Sequence, residues 1–211
     1  MNPTIQKKKI LVIVDAGHGS DTAGKRSTDG LLLEYAWARD CAHVLMPWLE
    51  SKGYDVVYLV PEASEIDVPL PTSERRANAA YDKYDGKVVL VSLHCNAHGM
   101  GKEWTDAHGW SIFTTKGDTE SDAIATSIYN AALKRFGKEN MRQDFSDGDP
   151  DWESNFYILR KTKCPAVLIE NFFMTNKQDC SYLLSFNSIQ ECSEVIVNGL
   201  ENYYNEMASQ N

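Results

Sequence analysis

Three apolar runs in this chain end on residues that could do chemistry. Ile10-Leu11-Val12-Ile13-Val14 passes through Asp15-Ala16-Gly17 to His18, Val88-Val89-Leu90-Val91-Ser92-Leu93 ends at His94, and Pro165-Ala166-Val167-Leu168-Ile169 ends at Glu170. Strands apolar at every position are covered on both faces, as in parallel sheets, and in open α/β folds ligands gather at the carboxyl ends of such strands. Neighbouring strand ends lie ~5 Å apart, so His18, His94 and Glu170 converge if their strands are adjacent. A helix that starts just after the first strand's loop can add Glu34. Two imidazoles and a carboxylate make a three-ligand zinc site with a position left open for water, and a second carboxylate beside it can take that water's proton and hand it to a leaving amine. That inventory suits metal-assisted amide hydrolysis. Taken singly, each residue also has a bland role: a core histidine in a strand-to-helix turn, or a carboxylate favoured at a helix N-terminus. No local HExxH pair is present, and spacing alone leaves a metal-free hydrolase and a binding module open.

The elements that must position these groups follow from the pattern. After His18 comes a polar loop, Ser20 to Gly30, whose Lys25 and Arg26 could meet an anionic substrate group or simply face solvent. Apolar residues at helical spacing predict a helix from Glu34 to about Lys52, disturbed at Pro47 and closed by Gly53. A strand is expected over 54–60, a Pro- and acid-containing loop over 61–71, and a helix from Thr72 to about Tyr84. Further along, the pattern predicts a strand over 109–115, a helix over 120–136, an edge strand over 155–160 and a closing helix over 188–204. Asn96 either orients a ligand or substrate or caps its own turn. Cys95 should face away from His94 if the strand runs through both. His98 and His108 read as exposed and His43 as structural. The stretch Asp144 to Asp151 is like a calcium loop in composition, but its glycine is misplaced and the closing Glu is absent, so it reads as a solvated loop or the rim of a site.

These elements fill the 211 residues as a single α/β domain, with residues 1–8 as a flexible N-terminal segment. A formal charge of −9 argues against nucleic acid or an anionic membrane as a bulk-charge partner. Five cysteines without a Cys-x-x-Cys pair read as reduced, mostly buried thiols. The first apolar run is too short for a signal peptide and nothing approaches a membrane span, so synthesis in the cytoplasm, as a monomer, is expected.

Taken together, the residues resemble a known family. Val14-Asp15-Ala16-Gly17-His18-Gly19, Glu34, Ser92-Leu93-His94-Cys95-Asn96-Ala97 and Leu168-Ile169-Glu170-Asn171-Phe172-Phe173-Met174-Thr175-Asn176 are similar, in order, to the motifs of zinc-dependent N-acetylmuramoyl-L-alanine amidases, the Amidase_3 family. Gly109-Trp110-Ser111-Ile112-Phe113-Thr114 and Asp21-Thr22-Ala23-Gly24-Lys25-Arg26-Ser27 add a likeness to its phage and prophage endolysin branch. The resemblance implies a three-layer, phosphorylase/hydrolase-like fold with a central, mostly parallel sheet of about six strands flanked by helices. It implies one Zn2+ held by His18, Glu34 and His94, with Glu170 as the catalytic carboxylate. The implied reaction is hydrolysis of the amide between the lactyl group of N-acetylmuramic acid and L-alanine in peptidoglycan, reached by release or export along another route. Two positions depart from the common pattern. Ala16 replaces a proline without touching a ligand, and Asn171 stands where Thr is frequent, which could alter substrate contacts. A zinc carboxypeptidase or aminoacylase, or a metal-free peptidoglycan-binding module, is the alternative.

Overall fold

The computed structural model describes residues 7–60, 65–99 and 101–209. Its six strands are β1 (Ile10–Ala16), β2 (Asp55–Tyr58), β3 (Lys87–Asn96), β4 (Ser111–Thr114), β5 (Trp152–Glu153) and β6 (Ala166–Phe173). The helices are α1 (Glu34–Ser51), α2 (Leu70–Lys83), α3 (Glu120–Phe136), α4 (Tyr157–Lys161), α5 (Lys177–Leu183) and α6 (Ser188–Ser209). The strands form one sheet in the order β2-β1-β3-β6-β4-β5, parallel except where β4 runs against β6. This is the three-layer α/β architecture expected, with the same number of strands.

Alternation along the central strands divides the core. Val12, Val14, Val89, Val91, Val167 and Ile169 point to one face, where α1, α3 and α6 cover them. Leu11, Ile13, Val88, Leu90 and Leu168 point to the other, where the cover is thinner: Ala77 of α2 and Ile158 and Leu159 of α4. The second core is much the smaller. Each fully buried aliphatic side chain contributes about 1.5–3 kcal/mol, so the α1/α3/α6 face supplies most of the stability.

Several expectations are corrected. Residues 155–160, expected as an edge strand, turn into α4 instead: Ile158 and Leu159 are both buried in succession, which a helix allows and an alternating half-buried strand does not. The five buried cysteines are all free thiols, as expected. Pro47 does not interrupt α1, which continues to Ser51 before Gly53 closes it at φ 90°. α5 is unanticipated, although Asn176 caps it by accepting from the backbone N–H groups of Gln178 and Asp179. Of the segment expected to be flexible, residues 1–6 lie outside the described residues, whereas Lys8 donates its backbone N–H to Gly53 at 3.0 Å and Lys7 pairs with Asp55 at 2.5 Å. Of the loop expected over 61–71, residues 61–64 lie outside the described residues, and α2 begins within the remainder.

Candidate metal centre and cleft

The sheet register assembles the site. Asp15 pairs with Ser92, and His94 pairs with Glu170, so the side chains of all four rise on the α2/α4 face at the carboxyl ends of adjacent parallel strands. The register shifts between His94 and Asn96, with Phe172 at φ 61° opposite. Such irregularities re-aim side chains at the ends of strands. Cys95 points the other way, into the main core, as its place after His94 requires.

His18 lies just beyond β1 at φ 65°, an uncommon backbone state for a residue with a side chain, and such strain gathers at functional sites. The flanking glycines have steric roles. A Cβ on Gly17 would lie 2.0 Å from Cε1 of His94, and one on Gly19 would lie 1.9 Å from the backbone nitrogen of Asp67. Gly17 therefore makes room for the second histidine, rather than simply exposing the first.

Glu34, the first residue of α1, is fully buried and lies between the two imidazoles. Its Oε1 sits 3.0 Å from Nδ1 of His94 and 3.5 Å from Nε2 of His18, and it accepts the backbone N–H of Cys95 at 3.2 Å. The rings stand edge to face, 5.0 Å between centroids. One ligand atom from each of His18, Glu34 and His94 falls within 4.8 Å of the other two. Nδ1 of His18 faces Asp67 at 4.0 Å, and Asp67 is itself held by the Thr22 hydroxyl at 2.7 Å.

Electrostatics separate the groups. Burial lowers the pKa of His18 to about 4, against the pull of Glu34. His94 is raised, because its hydrogen bond and charge pairing with Glu34 outweigh its burial. Despite burial, Glu34 is held below the usual carboxylate value by His94, His18 and Lys25. Glu170 is pushed up to about 7, chiefly by burial, and its Oε2 is buried without a hydrogen-bond partner.

His18, His94 and Glu170 line one side of a cleft of about 380 Å³, with Glu34 buried behind the histidines, and the other wall is apolar: Val68, Pro69 and Leu70 before and at the start of α2, and Phe156 and Ile158 around α4. Lys25 reaches this cleft, its Nζ 3.6 Å from Oε2 of Glu34. Arg26 does not: it is exposed, outside the cleft lining, with its backbone bridged to Leu33. Asn96 also lies outside the lining and accepts the backbone N–H of Ala97 at 2.8 Å, which is the turn-capping role. Asn171, considered for substrate contact, is fully buried instead. It donates to the carbonyl of His94 at 3.1 Å and accepts from Nε1 of Trp110 at 3.1 Å, bracing the His94 strand from behind. His98 and His108 are exposed, as expected. Sequence reasoning missed Asp67 and the Phe156–Ile158 wall, since neither lies at the end of an apolar strand.

A family model described as N-acetylmuramoyl-L-alanine amidase matches residues 12–202. The chain is similar to the uncharacterized protein YqiI of Bacillus subtilis, 28% identical over 196 residues that make up 92% of this chain and 85% of that one. It is 30% identical over 197 residues to the N-acetylmuramoyl-L-alanine amidase CwlM of Bacillus licheniformis, covering 93% of this chain and 69% of CwlM. To the endolysin of Bacillus phage SPP1 it is 25% identical, with 92% of this chain matching 66% of the endolysin. The chain thus spans about two thirds of the endolysin's length. Among solved structures, an N-acetylmuramoyl-L-alanine amidase from Clostridium difficile 630 superposes with a TM-score of 0.76 at 25% identity, over 93% of this chain and 97% of that one.

Proposed function

Because the chain belongs to the N-acetylmuramoyl-L-alanine amidase family, Amidase_3, we propose that it hydrolyses the amide joining the lactyl group of N-acetylmuramic acid to L-alanine in peptidoglycan, using one Zn2+. The observation that carries this reading is the convergence of His18, Glu34 and His94 with Glu170 next to them in register. Two imidazoles and one carboxylate are the donor set of a zinc site with an open fourth position, and the buried Oε2 of Glu34, which accepts no hydrogen bond and has only the Lys25 ammonium 3.6 Å away, is the kind of atom a metal would satisfy. Bound there, zinc supplies Lewis acidity, polarising a carbonyl and making a water acidic near ~7.

The remaining chemistry falls to the chain. Glu170, with its pKa near 7, accepts the proton of the attacking water and then gives it to the departing alanine nitrogen. Asp67 places a negative charge on the Nδ1 side of His18, whose Nε2 faces Glu34. The apolar wall of Val68, Leu70 and Phe156 offers the substrate an apolar surface to pack against beside the reacting groups. Lys25 places an ammonium at the cleft, available to an anionic group of the substrate. In this reading, residues 10–209 act as one catalytic unit. No helix among the described residues is long and apolar enough to cross a membrane.

The test is mass spectrometry of purified peptidoglycan before and after incubation, with a chelator control. New free lactyl carboxylates paired with new L-alanine amines are expected. Release of a terminal amino acid would support a carboxypeptidase instead, and no change would overturn the reading.

A further inference from the structure

Away from the cleft, the edge of the sheet holds a second group of acids. Asp122 lies in the first turn of α3, where its carboxylate accepts the backbone N–H of Thr119 at 2.5 Å. The acid-rich loop before β5, expected as a solvated loop or the rim of a site, turns two of its carboxylates inward. Asp151 is only 1% exposed, and its Oδ2 accepts the Thr114 hydroxyl at 2.5 Å. Its Oδ1 is buried and has no hydrogen-bond partner, and the same is true of Oδ1 of Asp149.

One carboxylate oxygen from each of Asp122, Asp149 and Asp151 lies within 4.8 Å of the other two. Oxygens that share a calcium ion at 2.3–2.6 Å stand at most ~5 Å apart. Among the described residues, no Lys, Arg or His forms an ion pair with any of the three. Burial first, then the adjoining Asp149 carboxyl and the charges of Asp149 and Asp122, push the Asp151 carboxyl up to about 8, against the pull of the Thr114 hydroxyl. A buried carboxylate with only like charges around it is costly unless something positive joins it.

From this geometry we infer that Asp122, Asp149 and Asp151 bind a divalent cation of the calcium class. The donors are all oxygen, which suits a hard cation and separates this site from the histidine-containing centre, where nitrogen donors favour zinc. The cation would join the end of β4, the first turn of α3 and the loop entering β5. From β5 the chain runs directly into Phe156 and Tyr157, both in the cleft lining, so the ion would fix the entry to that wall. The inference does not depend on the reaction proposed for the cleft.

Terbium luminescence tests it, because Trp152 lies next to Asp151 and can sensitise the ion. In the full-length, zinc-loaded protein, one terbium site displaced by calcium is expected. Calcium at 100-fold excess over its dissociation constant should raise the melting temperature by roughly 5–10 °C. D151N and the less buried D149N should each lose both responses, with circular dichroism confirming that they fold. H18A should keep both, so a failed cleft assignment leaves this readout intact. Absence of a calcium-displaceable signal, or its survival in both Asn variants, would overturn the inference and leave a proton shared by Asp149 and Asp151 as the neutralising partner.

Discussion

A methyl group on Gly17 would fall 2.0 Å from Cε1 of His94, although 77 positions separate the two residues along the chain and one follows β1 while the other lies in β3. The small residue after β1 thus sets where the second histidine can stand. G17A should lower zinc occupancy and cut hydrolysis by ~100-fold or more while leaving the fold intact, since misplacement of about 1 Å costs that much. Metal analysis beside circular dichroism checks it. Full zinc content in G17A would show that the loop can give way.

Replacing Glu170 by Gln keeps the size of the side chain and removes its capacity to take a proton. Turnover should fall by ~10²–10⁴, the usual contribution of a positioned acid–base group, with zinc content unchanged. Rates on isolated muropeptides, read with metal analysis on the same sample, separate this role from a ligand role, which would lose metal too.

His18 and His94 should behave differently from Glu170. H18A and H94A are each expected to reduce zinc from one per chain to a small fraction, because two remaining donors do not make a stable site. Equilibrium dialysis against zinc measures this directly.

Stability of the metal-free protein should carry the mark of His18. Its imidazole is protonated near 6.5 when unfolded but only near about 4 when folded. Between those values the unfolded state binds more protons, so stability falls as pH drops through this window, by roughly 3 kcal/mol in all. His94 is shifted upward and works in the opposite sense, losing its contribution as pH rises. Urea titrations of wild type and H18Q from pH 7 to 4 isolate the His18 part, and identical slopes would refute it.

The buried thiols make a simpler prediction. Burial pushes Cys41 up to about 12 and Cys164 up to about 11, and all five cysteines are buried. They should react with a thiol reagent only after unfolding, as thiolate is the reactive form.

The placement of His18, His94 and Glu170 was legible because a fully apolar strand announces both its burial and, at its polar end, its exit toward a site. Glu34 was readable only as an acid at the start of the helix after the first strand's loop, where a bland N-terminal role competes. Residues 155–160 misled because Phe156, Tyr157 and Ile158 suit strands and helices alike over so short a run, and only packing against α2 and β6 decides between them. Asn171 misled because its departure from the family's frequent Thr suggested altered substrate contacts, yet the strand alternation sends it to the face opposite Glu170, against Trp110. Asp149 and Asp151 were hidden because a loop's acids show nothing in sequence about which of them turn inward.

The two cores are unequal, and the cleft is built between the sheet and the thinner one. The layer that carries Leu70 and Phe156 rests on few buried contacts, while the strands beneath it are fastened from behind by α1, α3 and α6. Opening energy is therefore distributed asymmetrically: the wall can part from the sheet at far less cost than the sheet can deform. A bulky glycan strand can be admitted by the yielding side, while the groups that must keep their mutual distances stay fixed to the rigid one.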